Sequence, residues 1–60
     1  MEAELRYYRR RSVEEMVAAT AAHDAKVRRI HLELASRYDE KVMMIEAALD
    51  RSQPRLVVPD

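Results

Sequence analysis

The chain has 60 residues, no cysteine, and eleven basic residues that balance eleven acidic ones. A chain this short forms at most one small domain, which buries too little surface to be stable without disulfides, a structural metal or self-association. Because the chain has no cysteine, self-association is the expected source of the missing stability, and the composition fits a reducing cytoplasm. The zero formal net charge gives no general attraction to nucleic acid or anionic lipid.

Residues of high helix propensity dominate the chain from Glu2 to Arg51, which contains no glycine, and both prolines come after that segment. The sequence therefore predicts an all-α fold with a single helical domain over residues 1–53. The proline-bracketed segment 54–60 is predicted to be an extended tail. The predicted elements are a helix over about 3–21, a turn over about 22–25 and a helix over about 25–51.

The N-terminal segment RYYRRR, residues 6–11, is the one patch with binding chemistry. Arginine contacts phosphate and tyrosine can stack on unpaired bases, so a nucleic-acid-associated protein is the alternative function. Neighbouring glutamates such as Glu4 and Glu14 weaken the positive potential of the segment, which favours a salt-bridged helix face instead. The candidate phosphate contacts are Arg6, Arg9, Arg10 and Arg11.

An alanine-rich stretch follows, VAATAAHDA at residues 17–25, and its lack of glycine and proline leaves two architectures open. Asp24 favours a chain reversal, because aspartate is a preferred N-cap and a second helix could begin at Ala25. Its carboxylate would then accept hydrogen bonds from the N–H groups of Lys26 and Val27. Small side chains also let two helices approach closely. The resulting fold is an antiparallel helical hairpin that self-associates into a bundle.

The alternative is one continuous helix of roughly 48 residues, about 70 Å long, that forms an antiparallel coiled-coil-like dimer. Its support is an eleven-residue interval between apolar residues, which corresponds to about three turns of a straight helix. The residues at this interval are Leu5, Met16, Val27, Tyr38 and Leu49.

The charges alternate in sign along the chain, with residues 1–11 summing to +2, 12–25 to −3, 26–37 to +3 and 38–50 to −3. A reversal near residues 22–25 places each block beside one of opposite sign, and an antiparallel dimer of straight helices does so in a similar way. Antiparallel helices are therefore favoured in both architectures, although each exposed ion pair contributes only about 0.3–0.5 kcal/mol.

Large apolar residues recur in steps of three or four, which indicates one buried face on each helical segment. In the N-terminal cluster Tyr8 lies on this face, whereas Tyr7 does not. The predicted core and oligomer-interface residues are Leu5, Tyr8, Met16, Val27, Ile30, Leu34, Tyr38, Ile45 and Leu49.

Two patches, YYRRR followed by Glu14-Glu15 and then IHLELASRY, resemble a group of short alphaproteobacterial helical proteins of uncharacterised function. The resemblance covers roughly residues 7–45. In that group a helix-breaking residue often follows the aspartate, which implies two helices in a hairpin. This chain departs from the pattern, because Ala25 stands where the breaker would be. The resemblance therefore bears on architecture alone and implies no activity.

Catalytic and metal-binding patterns are missing from the sequence. His23 and His31 are eight residues apart, about 12 Å on one helix, which is too far to bind one ion. The adjacent acids Glu14 and Glu15 diverge by about 100° on a helix, so they are interpreted as a solvated face rather than a catalytic pair. No glycine is present to build an oxyanion hole or a phosphate loop. We therefore expect no enzymatic activity, no cofactor and no metal.

The function that fits these features best is a small non-enzymatic protein–protein interaction or assembly protein, such as an adaptor or regulator. We expect a homo-oligomer, with another helical protein as a further partner. The N-terminal arginines precede no apolar stretch of the signal-peptide type, and no run approaches the ~20 apolar residues of a membrane span. A cytoplasmic location without membrane contact is the corresponding expectation.

Overall fold

The computed structural model describes residues 2–52, which form two α-helices, α1 (Glu2–Ala21) and α2 (Ala25–Ser52). The helices pack against each other along their lengths, so the chain is a helical hairpin and the predicted all-α fold is confirmed. The extended tail that the sequence predicts at 54–60 lies outside the described residues. Neither helix within the described range is long and apolar enough to cross a membrane.

The reversal between the helices is made without glycine, and no described residue has a positive φ. Asp24 is the N-cap of α2: its Oδ1 accepts a hydrogen bond from the backbone N–H of Lys26 at 3.0 Å. Its carbonyl accepts one from the N–H of Arg28 at 2.9 Å, which begins the helical hydrogen bonding. The predicted cap at Asp24 is confirmed, with Ala25 as the first residue of α2.

The C-terminal end of α1 is closed by a side chain from the other helix. No basic residue occurs in the last turn of α1. Instead, the guanidinium of Arg28 donates a hydrogen bond to the carbonyl of Ala22 at 3.1 Å. A cation at this position satisfies a carbonyl that has no helical partner and complements the negative end of the helix dipole. The hydrogen bonds of Asp24 and Arg28 therefore satisfy the helix ends at the reversal, where no glycine or proline is present.

The residues between the helices follow a seven-residue repeat, with alternating steps of three and four, as in an antiparallel coiled coil. The most buried are small or polar: Ala19 and Ala35 are 2% exposed, and Ser12 and Glu15 are 6% exposed. Larger residues at the repeat positions are half-buried. The buried and half-buried residues at these repeat positions are Leu5, Tyr8, Ser12, Glu15, Ala19 and Ala22 on or directly after α1 and His31, Ala35, Tyr38, Val42, Ile45 and Leu49 on α2.

The buried residues of each helix form a stripe along one side of it, and the angular positions of the two stripes rule out the continuous helix. Ala19 and Ala35 are sixteen residues apart, which corresponds to a rotation of about 160° on a straight helix. The α1 stripe and the α2 stripe would then face nearly opposite directions, and one partner helix could not cover both. Reversal of the chain at residues 22–24 turns the two stripes toward each other. The alternative of a single straight helix is therefore wrong.

Three of the predicted core residues lie on the surface of the hairpin: Met16 is 49% exposed, Val27 40% and Ile30 49%. The helical spacing of large apolar residues, including the eleven-residue interval from Leu5, predicts a core position for each of them. The real interface follows a seven-residue repeat from Leu5, and Met16 lies one position beyond the interface residue Glu15. The prediction that these three residues lie in the core of the hairpin is wrong. Their place in an oligomer interface stays a prediction. The other predicted residues are half-buried: Leu5, Tyr8, Leu34, Tyr38, Ile45 and Leu49.

Candidate functional site

A polar cluster occupies the middle of the helix–helix interface and centres on Glu15, whose side chain is 8% exposed. One carboxylate oxygen, Oε2, accepts a hydrogen bond from Nη2 of Arg11 one turn earlier on α1, at 2.6 Å. The other, Oε1, lies 2.6 Å from Nδ1 of His31 on α2. Because a carboxylate only accepts, the proton of this hydrogen bond resides on Nδ1. The carboxylate of Glu15 thus links the two helices, because it accepts one hydrogen bond from α1 and one from α2.

The surroundings of Glu15 favour its charged form. The hydrogen bond from His31 and the positive charge of Arg11 hold the pKa of this carboxyl below its ordinary value, while desolvation in the interface acts in the opposite direction. Hydrogen bonds to Glu14 and Tyr38 raise the pKa of Arg11 further above its already high value, so this guanidinium stays charged. The cluster therefore carries an ion pair between Arg11 and Glu15 whenever Glu15 is ionised.

A second polar contact crosses the interface one turn away. The hydroxyl of Ser12 donates a hydrogen bond to Oδ1 of Asp39 at 2.5 Å, and its oxygen lies 3.5 Å from the carbonyl of Ala35. In the part of the chain that the structure describes, no buried side-chain nitrogen or oxygen lacks a hydrogen-bond partner. Partners inside the hairpin thus satisfy these polar groups.

Two of the candidate phosphate contacts are already engaged within the hairpin. Arg9 forms an ion pair with Glu46 of α2 at 2.6 Å, and Arg11 pairs with Glu14 at the same distance in addition to its contact with Glu15. The guanidinium of Arg11 also lies over the ring of Tyr38 at 5.3 Å. Such pairs neutralise the potential that a phosphate would meet.

The other two arginines of the cluster, Arg6 and Arg10, are exposed, and neither forms an ion pair with a residue in the described range. The guanidinium of Arg10 lies 5.7 Å from the centre of the Tyr7 ring, a cation–π contact. Tyr7 in turn meets Tyr8 edge to face at 5.4 Å, and Tyr8 contacts Tyr38 at 5.9 Å. The three tyrosines therefore form a small aromatic group that crosses between the helices at Tyr8 and Tyr38.

The two histidines have different environments. His31 is half-buried and engaged with Glu15, whereas His23 is exposed in the turn. Within residues 2–52 no group of three His, Cys, Asp or Glu residues lies close enough to hold an ion.

An uncharged apolar surface runs along the side of α1 that faces away from α2, and we call it the outer face of α1. Val13 is 63% exposed, Met16 49% and Val17 62%. All residues that line a shallow groove on this surface belong to α1. The groove is lined by Ser12, which also belongs to the helix–helix interface, and by five further residues that we include in the outer face of α1: Val13, Met16, Val17, Thr20 and Ala21.

The sequence reasoning missed the polar half of the interface. The sequence predicts that Glu14 and Glu15 are both solvated; Glu14 is exposed, whereas Glu15 is buried in the helix–helix interface. A search for large apolar residues passes over Ser12 and Glu15, because polar residues at repeat positions look like interruptions. The signal that could have found them is the spacing itself, since Leu5, Tyr8, Ser12, Glu15 and Ala19 continue one unbroken pattern of steps of three and four.

No known protein-family profile matches the sequence, and neither the curated proteins nor the solved structures contain a significant match. The function is therefore inferred from the interface and the surface of the hairpin.

Proposed function

We propose that this protein is a small, non-enzymatic protein–protein interaction or assembly protein that works as a self-associating helical hairpin. The observation that carries this proposal is the imbalance between its core and its surface. In the described range, only Ala19 and Ala35 are buried hydrophobic residues, whereas nine large hydrophobic side chains are at least 40% exposed.

An isolated hairpin with such a core has little to stabilise it. Hydrophobic burial contributes about 0.8 kcal/mol per CH₂ group, so two alanines contribute far less than leucines at the same positions. Fixing the backbone costs about 1–2 kcal/mol per residue, which a short chain must recover from contacts. Association of two or more hairpins would bury the exposed valine, methionine, isoleucine and leucine side chains and supply the missing stability.

The polar cluster supports a structural role over a catalytic one. Glu15 has both oxygens occupied, by Arg11 and by His31, and Ser12 is engaged by Asp39. A general base or a nucleophile needs access to substrate, and these groups face one another inside the interface. Their arrangement fits a device that fixes the register of α1 against α2.

The arginine cluster gives less support to nucleic-acid binding. Arg9 and Arg11 are paired with glutamates, which leaves Arg6 and Arg10 as the basic groups of that segment without an ion pair in the described range. Nonspecific affinity for nucleic acid rises with the number of phosphates neutralised, so two contacts give weak binding. We therefore propose a protein partner.

The test is the dependence of stability on protein concentration. Thermal unfolding is followed by circular dichroism over a hundredfold range of concentration, with sedimentation equilibrium on the same samples. The melting temperature is expected to rise with concentration, because association stabilises the folded state by mass action. A melting temperature independent of concentration, with the mass of one chain throughout, would contradict the proposal.

A further inference from the structure

We propose that the outer face of α1 is the surface through which two copies of this chain associate, with α1 of one copy antiparallel to α1 of the other. This inference rests on the proposed function, and it adds the face, the orientation and the stoichiometry of the contact. The occupant of the groove is therefore a second copy of the same helix.

The outer face of α1 has the pattern of a helix-packing surface. Its residues recur at 13, 16, 17, 20 and 21, which places them on one side of the helix over two turns. Val13 and Val17 form one ridge at a spacing of four, and Met16 and Thr20 form a parallel ridge. Ridges of this kind interdigitate with those of another helix. The hydroxyl of Thr20 bonds to the carbonyl of Met16 at 3.0 Å, so it brings no unsatisfied donor to such a contact.

The corresponding surface of α2 is unsuited to burial. Its groove surrounds Leu32, which is 42% exposed, with charged side chains. Burying charges without partners costs far more than burying one leucine returns. The charged residues of this groove are Arg29, Glu33, Arg37 and Glu40. In a chain that is 37% charged, the absence of charge across two turns of α1 is therefore a distinguishing feature.

The charges at the two ends of the outer face favour an antiparallel copy. Arg10 precedes Val17 by seven residues on α1, and Asp24, which lies in the turn just beyond the end of α1, follows Val17 by seven. If two copies cross near Val17 in antiparallel orientation, Arg10 of one copy comes to about the level of Asp24 of the other, and two-fold symmetry repeats the contact. A parallel pair would place Arg10 beside Arg10. Arg10 has no ion-pair partner in the described range, so its charge is available for this contact.

A second copy could instead place another apolar ridge in the groove of α1, namely the ridge formed by the exposed residues Val27 and Ile30 of α2. Its neighbours Lys26, Arg28 and Arg29 are all basic, so this surface is on balance unfavourable for Arg10, although Asp24 and Glu33 stand three residues beyond its two ends. Seating this ridge in the α1 groove also joins two different surfaces, which produces open chains of copies instead of a closed dimer. The α1–α1 contact uses the same surface twice and closes as a pair.

The first test compares two single substitutions at equally exposed sites. Val17→Lys introduces a charge at the centre of the proposed contact, and Met43→Lys introduces the same charge on α2, where the side chain is 67% exposed. Neither change removes a core contact, and lysine has a higher helix propensity than valine. Val17→Lys is expected to raise the dissociation constant of the dimer by at least about a hundredfold, because two lysines would be buried side by side. Met43→Lys is expected to change it less than about threefold.

The second test determines orientation through disulfide formation, which is clean because the chain has no cysteine of its own. In an antiparallel crossing near residues 16 and 17, position 13 of one copy faces position 20 of the other. A mixture of the Val13→Cys and Thr20→Cys variants should then form mixed disulfides. Each variant alone should cross-link poorly, since its two cysteines would stand about 10 Å apart along the axis and a disulfide needs Cβ atoms about 4 Å apart. Efficient cross-linking of each variant with itself would overturn the antiparallel arrangement.

The outcomes separate this inference from the proposed function. If the wild-type chain is monomeric at every concentration, both are wrong. If it is oligomeric and Val17→Lys leaves the oligomer intact, self-association stands and the assignment of the outer face of α1 is overturned. Circular dichroism of Val17→Lys confirms that loss of the dimer is not loss of the helices, because a dissociated but helical hairpin is the expected product.

Discussion

His31 Nδ1 lies 2.6 Å from Glu15 Oε1, and this contact ties the middle of α1 to the first half of α2. A shift of one helix along the other by a single turn would move His31 by about 5 Å and leave Oε1 of the buried Glu15 carboxylate without its hydrogen-bond donor, while Arg11 on α1 would still bind Oε2. Apolar pairs tolerate such shifts better, since one alanine or leucine replaces another at little cost. The polar cluster therefore gives the hairpin one register, at the expense of the stability that larger apolar residues at these positions would add.

Glu15→Ala is expected to destabilise the hairpin considerably more than Glu14→Ala. Removal of Glu15 leaves His31 without its acceptor inside the interface and takes one of two carboxylates from Arg11, whereas Glu14 is exposed and its pairing with Arg11 is of the kind that contributes little. Chemical denaturation of both variants at one protein concentration provides the comparison. Equal loss from the two changes would mean that the interface contact of Glu15 is not formed.

The stability of the hairpin should fall in acid partly through Glu15. Because its pKa is lower in the folded state, folding favours the ionised carboxylate, and this contribution is complete above the pKa of the unfolded chain, about 4.3. It is lost as the pH falls through the lowered folded pKa. Melting temperatures measured between about pH 6 and pH 2 should therefore decline more steeply for the wild type than for Glu15→Gln, which has no charge to lose. Parallel declines would contradict the prediction.

The sequence predicted the all-α hairpin, because helix propensity and the cap at Asp24 are local signals that depend on a few neighbouring residues. It did not predict which face the helices share. Met16 and Val27 are more hydrophobic than Ser12 and Glu15, and hydrophobicity alone ranks them as core. The choice between these faces depends on contacts across the interface, such as that of Glu15 with a residue sixteen positions away, and these require the fold to be known.

Asp24→Ala should reduce the free energy of unfolding by about 1 kcal/mol, because α2 loses the side chain that caps its first turn. Asp24→Asn is the matched control, since asparagine is an equally preferred N-cap and retains an oxygen acceptor. Urea denaturation at one protein concentration measures both. A neutral or stabilising Asp24→Ala would indicate that residue 24 lies inside a helix, where alanine is the better residue.

Ala35→Leu should destabilise the hairpin by about 1–3 kcal/mol, because the interface at Ala35 has no room for three additional carbon atoms. Ala35 is 2% exposed and faces the region of α1 that holds Ser12. Ala47→Leu makes the same change at an exposed position of α2 and should be close to neutral. If Ala35→Leu stabilises the protein instead, the helices can separate without cost, and small residues are not required at the interface.

The reversal of the chain can be measured as a distance between spin labels at the exposed positions 6 and 47, introduced as Arg6→Cys and Ala47→Cys in one chain. In the hairpin both positions lie at the open end, so the labels should be separated by less than about 25 Å, roughly two helix diameters. In a continuous helix the same positions would be about 60 Å apart, from the rise of 1.5 Å per residue. Dilution of the labelled chain into an excess of unlabelled protein removes distances between copies. A long distance that persists on dilution would contradict the hairpin, whereas a short one that disappears would indicate that α1 packs on α2 of another copy.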